Sequence, residues 1–507
     1  MYFDFAGIQK IKIPISQNEV TIDVVKKYLP EILKKHDQNA QKIKHFRDYT
    51  DGVKMGIDYK SRKYNSIDGG NNIIKQNHAY YMVSFKEGFL LGDKREFAQK
   101  NDSKSDDLIY FDRYLSDVSF FGKDVEIKHD IYSCGVGISF VYPRLDILKN
   151  ENNVYSFKDE FDGYDVQNDS PFVYERLDPV YNGVVYTSNV GSIGVGDLFC
   201  FNIAFEEDKF DQKKKVITVY TKDFTAKFDY QGKVIGTPNQ MPTSYKMLPM
   251  VEHSINNSRM GIVEVNETLL DGINTLVSNC VDNVVDVVNQ IFVFLGCDAD
   301  SDVIKKMYED GGVSIPPANG VQTPDVKTLH VGLDYSDVNV VIQELLTQCY
   351  DIVGIPLSAG ISGSGNNQAA YIGGGWTNAL SVIKRDVLSL EQSDRELLKR
   401  MIAICKLNPN TMIREITANQ IEIKYNVKIT DNVLSYTQAL QNLVDSKMPL
   451  EHILKAIPLW GDTKTVAKDW QMRIEEIEKK EAAKLLMEKN IDNNASTIQD
   501  KKEQAPE

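Results

Sequence analysis

The feature that most constrains the fold is a helical pattern in the middle of the chain. From residue 265 to about residue 290, apolar residues recur at steps of three and four, which is the spacing of one face of an α-helix. These residues are Leu269, Ile273, Leu276, Cys280, Val284, Val287 and Ile291. Most polar residues of the stretch, such as Asp271, Asn274 and Asp282, fall elsewhere on the helical wheel. The pattern therefore predicts one long amphipathic helix.

Two further helices follow, separated by an insert and a glycine-rich segment. The insert, residues 292–333, predicts a small helix near Ile304 and two strands, VSIPP and VKTLHVGL. A second helix is predicted from an N-cap at Ser336 to Val353. Seven glycines then occur between Gly354 and Gly375, and a third helix is predicted over residues 377–407. The order is therefore helix, insert, helix, glycine loop, helix.

The rest of the chain mixes helices and strands. Residues 20–53 and 71–92 show helical spacing, whereas residues 131–230 show alternating β-branched runs separated by Gly, Asn and Asp, as expected of an antiparallel sheet. LPMVEH and QIEIKYNVKI predict later strands, and residues 434–490 are predicted to be helical. Residues 491–507 have the composition of a disordered tail. These patterns predict an α+β fold.

Charge is distributed unevenly along the chain. The net charge is −14, yet residues 260–304 hold eight acidic residues and no Lys or Arg, and residues 328–383 hold four acidic residues and again no Lys or Arg. A groove that grips nucleic acid has the opposite sign. Residues 26–63 are instead basic, with eleven Lys/Arg against five Asp/Glu. These lysines can contact nucleic acid or an acidic partner, although a solvated helix face is the simpler interpretation.

The glycine-rich segment matches no catalytic loop. No lysine follows its glycines, so it is not a phosphate-binding P-loop, and it lacks the third glycine and the preceding strand of a dinucleotide-binding fingerprint. GISGS departs from the GxSxG nucleophile motif because Ser364 stands in place of the last glycine. The seven histidines stand singly. We therefore predict no enzyme and no cofactor.

One metal-like pattern is present in the insert. Asp298, Asp300, Asp302 and Glu309 occupy positions 1, 3, 5 and 12 of a calcium loop. Position 6, which needs glycine for the turn, is Val303. An acidic surface turn explains these residues better, so we predict no metal site.

Cysteines and hydropathy bear on the compartment. The six cysteines are widely spaced and form no CxxC pair, which suits a reducing compartment. No secretion signal is recognisable at the N-terminus. The most apolar stretch, residues 281–296, is too short for a bilayer and is interrupted by Asp282 and Asp286. We therefore expect no membrane partner.

Several separated stretches, taken in order, resemble the portal proteins of tailed bacteriophages, in particular the type of similar length found in long-tailed phages of Gram-positive hosts. The resemblance spans residues 32–477. It rests on NNIIKQNHAYYMVSFKEGFLLG, YSCGVGISFVYP, LPMVEHSINN with EVNETLLDGIN, GIPLSAGISGSGNNQAAYIGGGW, and the segment that begins QIEIKYNVKITDNVLSY. Two positions depart from the family pattern: Asn366 follows Gly365 where the family often has an SGxA phrase, and Val466 stands where an acid usually closes a D-x-x-x-E phrase.

The resemblance implies an ordered set of parts. They are a wing (residues 1–257), a first stem helix (258–291), a clip (292–333), a second stem helix (334–355), a tunnel loop (356–376), a long third helix with a strand returning to the wing (377–430), a crown (431–490) and a disordered tail (491–507).

The resemblance also implies a function. The chain would form a ring, typically of twelve subunits, at one vertex of the virion capsid. Double-stranded DNA would be packaged and ejected through this ring, which would be assembled in the host cytoplasm. The implied partners are the terminase large subunit, a head-completion adaptor, and the major capsid and scaffolding proteins. The implied partner-binding residues of the clip are Asp298, Asp300, Asp302 and Glu309. The implied acidic residues lining the channel along the stem are Asp271, Asp282, Asp286 and Glu344.

The missing cations fit such a channel. A lysine in the loop would repeat its phosphate contact once per subunit, and the sum would trap moving DNA. We therefore expect the tunnel loop to approach DNA without holding it, through glycines, amides and hydroxyls. Its residues are Gly360, Ser362, Gly363, Ser364, Gly365, Asn366, Asn367, Gln368 and Tyr371.

Two other functions remain open from the sequence. One is another ring-forming component of a phage tail or baseplate, which explains oligomerisation but not the cation-free series of helices and loop. The other is a calcium-dependent hydrolase that uses the glycine loop at a substrate pocket, which requires acid and base residues converging beside that loop.

The third helix gives a further hint of oligomerisation. Val382, Ile383, Val387, Leu388 and Leu390 form a wide apolar face. We expect a neighbouring subunit to cover it.

Overall fold

The structure is a computed structural model of the 507-residue chain. It describes residues 7–58, 72–99, 106–144, 148–151, 154–157, 165–188, 197–207, 213–240, 246–288, 291–295, 302, 325–329, 335–356, 375–407, 411–427, 441–443, 469–477 and 479–480. These residues form a mixture of helices and sheets, so the predicted α+β class is confirmed.

The main elements are named in chain order. The helices are α1 (Ile22–Thr50), α2 (His78–Leu91), α3 (Asp107–Asp117), α4 (Phe120–Cys134), α5 (Ile262–Val288), α6 (Tyr335–Val353) and α7 (Trp376–Leu407). The strands are β1 (Ile11–Ile13), β2 (Glu96–Gln99), β3 (Gly137–Pro143), β4 (Leu148–Glu151), β5 (Val154–Phe157), β6 (Phe172–Leu177), β7 (Asn182–Thr187), β8 (Asp197–Glu207), β9 (Lys213–Tyr220), β10 (Phe224–Asp229), β11 (Val234–Gln240), β12 (Met250–His253), β13 (Ile291–Leu295), β14 (Asp325–Leu329) and β15 (Ile421–Lys424). The chain divides into two compact units: residues 1–92 with 104–419, and residues 93–103 with 420–507.

The first unit contains an eight-stranded sheet with α1 packed on one face. The strand order is β1-β7-β8-β9-β10-β11-β5-β4, and the neighbours are antiparallel except for β1–β7 and β11–β5. Helix α1 buries Val25, Leu29, Ile32 and Leu33 against apolar residues of the sheet such as Phe199. This is the apolar stripe that the 3.6-residue period predicts, and its burial is the main stabilisation of the helix.

A second layer of the same unit is helical. A three-stranded sheet, in the order β12-β3-β6, contacts α4 and α7. Helix α4 also contacts α1, α2, α3 and α5, so it lies at the centre of the helices. It ends at Gly135, whose φ of 90° is left-handed and whose hypothetical Cβ would lie only 2.3 Å from the carbonyl oxygen of Arg259. Glycine is therefore required at this C-cap.

The helices α5 and α6 pack against each other, and the antiparallel β13–β14 pair lies between them in sequence. In register, Ile291 faces Leu329 and Leu295 faces Asp325. The described part of the insert is therefore mainly a pair of antiparallel strands.

The second unit contains an antiparallel pair of strands, β2 and β15, in which Ile421 lies opposite Gln99. Arg95 donates a hydrogen bond to the hydroxyl of Tyr425 at 3.0 Å, and the amide of Asn426 donates to the carbonyl of Lys94 at 3.2 Å. Residues 441–443, 469–477 and 479–480 are helical.

The structure confirms most of the predicted elements. The three long helices predicted over residues 265–290, 336–353 and 377–407 are α5, α6 and α7. The predicted N-cap at Ser336 is wrong, because α6 already includes Tyr335. The β-branched runs become β3 and β7–β10, and LPMVEH and QIEIKYNVKI contribute β12 and β15. The helix α1 matches the pattern of residues 20–53.

One predicted helix is wrong at its start. The pattern of residues 71–92 becomes a helix only at His78, and residues 72–77 carry no regular structure. Asn77 ends the irregular stretch because its side chain accepts a hydrogen bond from the backbone of Tyr80 at 3.0 Å and caps α2. The backbone N–H groups of Asn72, Ile74 and Gln76 bond instead to side chains of α5.

Several predictions lie outside the described residues. They concern the strand VSIPP, Ile304, the tail over residues 491–507 and most of residues 431–490. They also concern residues 357–374 of the glycine loop.

Candidate functional site

The helices α5 and α6 carry most of the predicted site residues that the structure describes. One side of α5 is polar and buried. Its members share a spacing of three or four residues, which places them along one face of the helix. They are Glu264, Glu267, Asp271, Asn274, Ser278 and Asp282.

The first half of this polar face bonds to the start of the chain and to α1. A carboxylate oxygen of Glu264 accepts from the backbone N–H of Gly7 at 2.9 Å. Glu267 lies 2.7 Å from Nε2 of His45. Each buried carboxylate therefore satisfies a donor that comes from another part of the fold.

Asp271 lies at the centre of the face and is 0% exposed. One of its oxygens accepts from the Tyr49 hydroxyl at 2.8 Å and from the backbone N–H of Gly56 at 3.1 Å. A Cβ on residue 56 would lie 1.8 Å from the other carboxylate oxygen. A Cβ at position 56 would therefore displace the Asp271 side chain from its present position.

The second half of the face holds the extended residues 72–76. The backbone N–H groups of Asn72, Ile74 and Gln76 donate to Asp282 at 2.9 Å, to Ser278 at 2.9 Å and to Asn274 at 2.8 Å. Every second residue of an extended chain advances about 6.6 Å, and every fourth residue of a helix advances about 6 Å. The two repeats match closely enough for an extended segment to bond along a helix.

This arrangement corrects the expectation that Asp271 and Asp282 present their charges to a channel. Asp282 is 2% exposed and Asp271 is 0% exposed, so both carboxylates are covered within the subunit. A buried carboxylate needs donors, and residues 49, 56 and 72 supply them. Asp286 lies in α5, but its side chain is outside the described residues.

Helix α6 presents an exposed acidic face. Asp337, Glu344 and Asp351 are all exposed. Seven residues make almost two helical turns, so the three carboxylates lie on one face at intervals of about 10.5 Å. Glu344 was predicted from the sequence as a channel-lining residue, whereas Asp337 and Asp351 were not. Their spacing of seven residues on either side of Glu344 could have predicted them as well.

Apolar side chains are also exposed on the helix pair. Val284 of α5 is 51% exposed, and Val340 and Ile352 of α6 are 64% and 52% exposed. The helices therefore carry apolar surface that the described part of one subunit leaves uncovered.

The apolar face expected on α7 is only partly free. Ile383 and Leu390 are buried within the subunit, and Val382 and Val387 are half-buried. Leu388 alone of the five is exposed, at 69%. The expectation that a neighbour is needed to cover this whole face is therefore wrong for Ile383 and Leu390.

Aromatic residues anchor both ends of the glycine loop. Tyr350, near the end of α6, lies 5.8 Å from the ring centroid of Tyr81, and Trp376, the first residue of α7, lies 6.2 Å from that of Phe85. Tyr81 and Phe85 are one turn apart on α2. The loop therefore leaves and rejoins the fold on one aromatic face of α2.

A serine and a histidine in the first unit have a geometry that can support catalysis. The hydroxyl of Ser139 lies 2.8 Å from Nε2 of His253, and Nδ1 of His253 lies 2.9 Å from the hydroxyl of Ser393 and 3.8 Å from Asp394. Ser139 and His253 are buried, so no substrate reaches them in this structure. The pair links β3, β12 and α7 through hydrogen bonds.

The comparison with known families decides the identity. A family model described as phage portal protein, SPP1 Gp6-like, matches residues 29–370, which is more than half of the chain. The chain belongs to this portal protein family. No curated protein matches the sequence.

Family membership gives the general role. The portal protein is a structural component of the phage particle, and the family implies a capsid-associated ring assembly. The match contains α5, α6 and the glycine loop up to residue 370. The resemblance to phage portal proteins that the sequence indicated is therefore confirmed.

Most of the remaining predicted site residues of this portal protein lie outside the described residues. Asp302 is helical and exposed, whereas Asp298, Asp300 and Glu309 lie outside the described residues. All nine predicted tunnel-loop residues from Gly360 to Tyr371 also lie outside them.

The described residues show neither a metal-binding cluster nor a membrane-spanning helix. Within the described ranges, no three His, Cys, Asp or Glu residues are grouped as a metal ion would need. In the same part of the chain, no helix combines the length and hydrophobicity of a membrane span.

Proposed function

We propose that this portal protein forms a ring at one capsid vertex and conducts double-stranded DNA during packaging and ejection. In this proposal α5 and α6 are the two stem helices, and the chain between α6 and α7 is the tunnel loop. The eight-stranded sheet with α1 belongs to the wing.

The observation that supports the channel best is the exposed acidic face of α6. Asp337, Glu344 and Asp351 project from a helix in a stretch, residues 328–383, that contains no Lys or Arg. DNA carries one phosphate charge per about 1.7 Å of its axis. Such a surface repels phosphate weakly, and near 0.15 M salt the repulsion fades within about 8 Å. DNA is therefore centred in the channel but not held.

A ring of identical subunits amplifies any attraction between one subunit and DNA. A lysine at one position of α6 would occur once in every subunit, at the same height in the channel. Even an exposed ion pair worth up to about 1 kcal/mol would then be multiplied around the ring. A lining without cations avoids this sum.

We further propose that the insert between α5 and α6, including β13 and β14, is the clip that docks the terminase and later a head-completion adaptor. Asp302, with Asp298, Asp300 and Glu309, gives this region an acidic character suited to a basic partner surface. The wing would contact the major capsid and scaffolding proteins.

A charge-reversal experiment tests the channel. Asp337, Glu344 and Asp351 are changed together to Lys, purified rings are imaged, and retention of linear duplex DNA is measured over a range of salt concentrations. The variant rings are expected to retain DNA in a salt-sensitive manner, whereas wild-type rings release it.

A matched control separates the effect of charge on the channel lining from the effect of net charge. Asp112, Glu126 and Asp223 are exposed acids outside α5 and α6, and their change to Lys alters the charge equally. DNA retention should stay near the wild-type level in this control. Equal retention by both variants, or particles without an axial hole, would contradict the proposal.

A further inference from the structure

Arg259 lies where the chain enters α5, and its backbone is held in an unusual conformation. Its φ is 55°, in the left-handed region that residues other than glycine rarely adopt. Its carbonyl accepts from the backbone N–H of Ile8 at 3.1 Å, and its own N–H donates to the carbonyl of Asn256 at 3.1 Å. The position of this residue is therefore fixed from both sides, three residues before α5 begins at Ile262.

The guanidinium of Arg259 is only partly satisfied by protein groups. The residue is 5% exposed, and Nη2 donates to a carboxylate oxygen of Glu252 at 2.7 Å. Nε and Nη1 are buried and have no hydrogen-bond acceptor among the residues that the structure describes. Buried donors without acceptors are costly and rare in folded proteins.

Arg259 lines a small cavity of about 20 Å³ at this point, whose walls are polar and apolar in similar measure. That volume suits one water molecule, which needs roughly 10–15 Å³ by the same measure. The cavity is shared by six parts of the fold. Its polar and charged lining residues are Gln9, His36, Asn39, Asn182, Glu252 and Arg259.

His36 supplies the complementary acceptor. Its Nε2 lies 2.9 Å from the carbonyl oxygen of Val180, which can only accept, so Nε2 carries the proton. In the neutral ring Nδ1 is then an acceptor. Burial lowers the pKa of His36, and nearby Arg259 acts in the same direction, so the neutral ring is favoured.

We propose that this cavity is a specific site for one internal water molecule at the root of α5. The water accepts hydrogen bonds from Nε or Nη1 of Arg259 and donates to Nδ1 of His36. An anion fits less well because it would face the Nδ1 lone pair and the carboxylate of Glu252. A cation would face the Arg259 guanidinium. The water joins α1 and the residue that leads into α5.

A density map of the assembled full-length protein, at a resolution that shows ordered water, tests this site. A peak is expected within hydrogen-bond distance of both the Arg259 guanidinium and Nδ1 of His36. Replacing chloride by bromide in the buffer should leave the peak unchanged. No peak, or a peak that strengthens with bromide, would overturn the proposal.

A conservative variant tests what holds the water. Arg259→Lys keeps a cation beside Glu252 but removes Nε and Nη1, so the peak should disappear. In the control, Arg400→Lys, the replaced nitrogens bond to Leu248, Glu396 and Asp197 and lie outside the cavity. The peak should persist there. A peak that survives Arg259→Lys would show that Arg259 does not hold the water.

Discussion

At the scale of single residues, the fold depends on buried polar side chains that bond to distant parts of the chain. Asp271 illustrates this, because its carboxylate is covered entirely and bonds to Tyr49 and to the backbone of Gly56. Nothing in the local sequence distinguishes Asp271 from a surface aspartate of an amphipathic helix. Its burial arises from residues more than two hundred positions away.

Gly56→Ala should destabilise the protein. The added Cβ would overlap the Asp271 carboxylate, with 1.8 Å between the two atoms, so the helix or the loop must shift. We expect a loss of about 1–3 kcal/mol in the free energy of unfolding, measured by denaturant titration.

The control for this prediction is Gly88→Ala in α2, where no atom lies within 4 Å of the added Cβ. Alanine favours a helix over glycine by roughly 0.5–1 kcal/mol, so this variant should be slightly more stable than wild type. Equal destabilisation by both substitutions would show that the contact with Asp271 is unimportant.

Asp130 gives a prediction for pH. Burial raises its pKa to about 6, although Arg176, which donates two hydrogen bonds of 2.7 Å, opposes the shift. The unfolded pKa is about 3.9, so the folded chain takes up a proton first as the pH falls. The contribution of Asp130 to the free energy of unfolding is therefore greatest below pH 4 and is lost as the pH rises through 6.

The measurement compares wild type with Asp130→Asn. Between pH 7 and pH 5 wild type should gain about 1 kcal/mol of stability relative to the variant, because the variant cannot take up this proton. The comparison removes the effect of other carboxylates, which titrate in both proteins. A stability difference independent of pH would contradict the raised pKa.

At the scale of elements, buried ion pairs connect three helices. Lys128 of α4 lies 3.4 Å from Asp124 on the same helix and 3.7 Å from Asp394 of α7, and Lys86 of α2 lies 3.8 Å from Asp386 of α7. All five side chains are buried. Helix α7 is therefore positioned by charges as well as by apolar packing.

Lys128→Met should be severely destabilising. It leaves the carboxylates of Asp124 and Asp394 buried without their cation, and breaking such a pair typically costs about 3–5 kcal/mol. Thermal or denaturant unfolding measures the loss.

Lys399→Met on α7 is the matched control. Lys399 lies 2.7 Å from Glu396, but this pair is exposed and should contribute no more than about 1 kcal/mol. If the two variants unfolded alike, the buried pairs would not be what positions α7.

The elements themselves were predictable where one face is apolar. The 3.6-residue period found α1, α5, α6 and α7, and alternation found β3 and β7–β10. Residues 72–77 were misread as helix because their apolar spacing continues that of α2. Three of their backbone N–H groups donate to side chains of α5 instead, and a local sequence pattern cannot reveal such long-range bonds.

At the scale of the whole molecule, the proposed ring would multiply whatever each subunit presents to its channel. The family match covers α5, α6 and most of the glycine loop, the segments on which the channel proposal rests. A weak contact in one subunit therefore becomes a strong one in the assembly.

Asn366→Lys combined with Asn367→Lys should stall DNA packaging while leaving the ring intact. Each subunit would add two cations to a loop proposed to approach DNA, and their phosphate contacts would add around the ring. The amount of DNA per particle measures packaging, and particle images establish that rings form.

Asn366→Ala with Asn367→Ala is the neutral control, which removes the amides without adding charge. It should package DNA close to normally. Particles of the lysine variant that fill normally would mean that the loop does not need to be free of cations.

The sequence by itself determined the α+β class, the long helices and the family, because apolar period and motif order are local properties of the chain. It also determined that residues 328–383 lack cations. Only the tertiary structure decided which acids are exposed. Asp271 and Asp282 occupy the same kind of helix as Glu344, yet they are buried by the N-terminal residues that bond to them, whereas Glu344 faces solvent. Burial depends on partners distant in sequence, so composition and spacing cannot assign it.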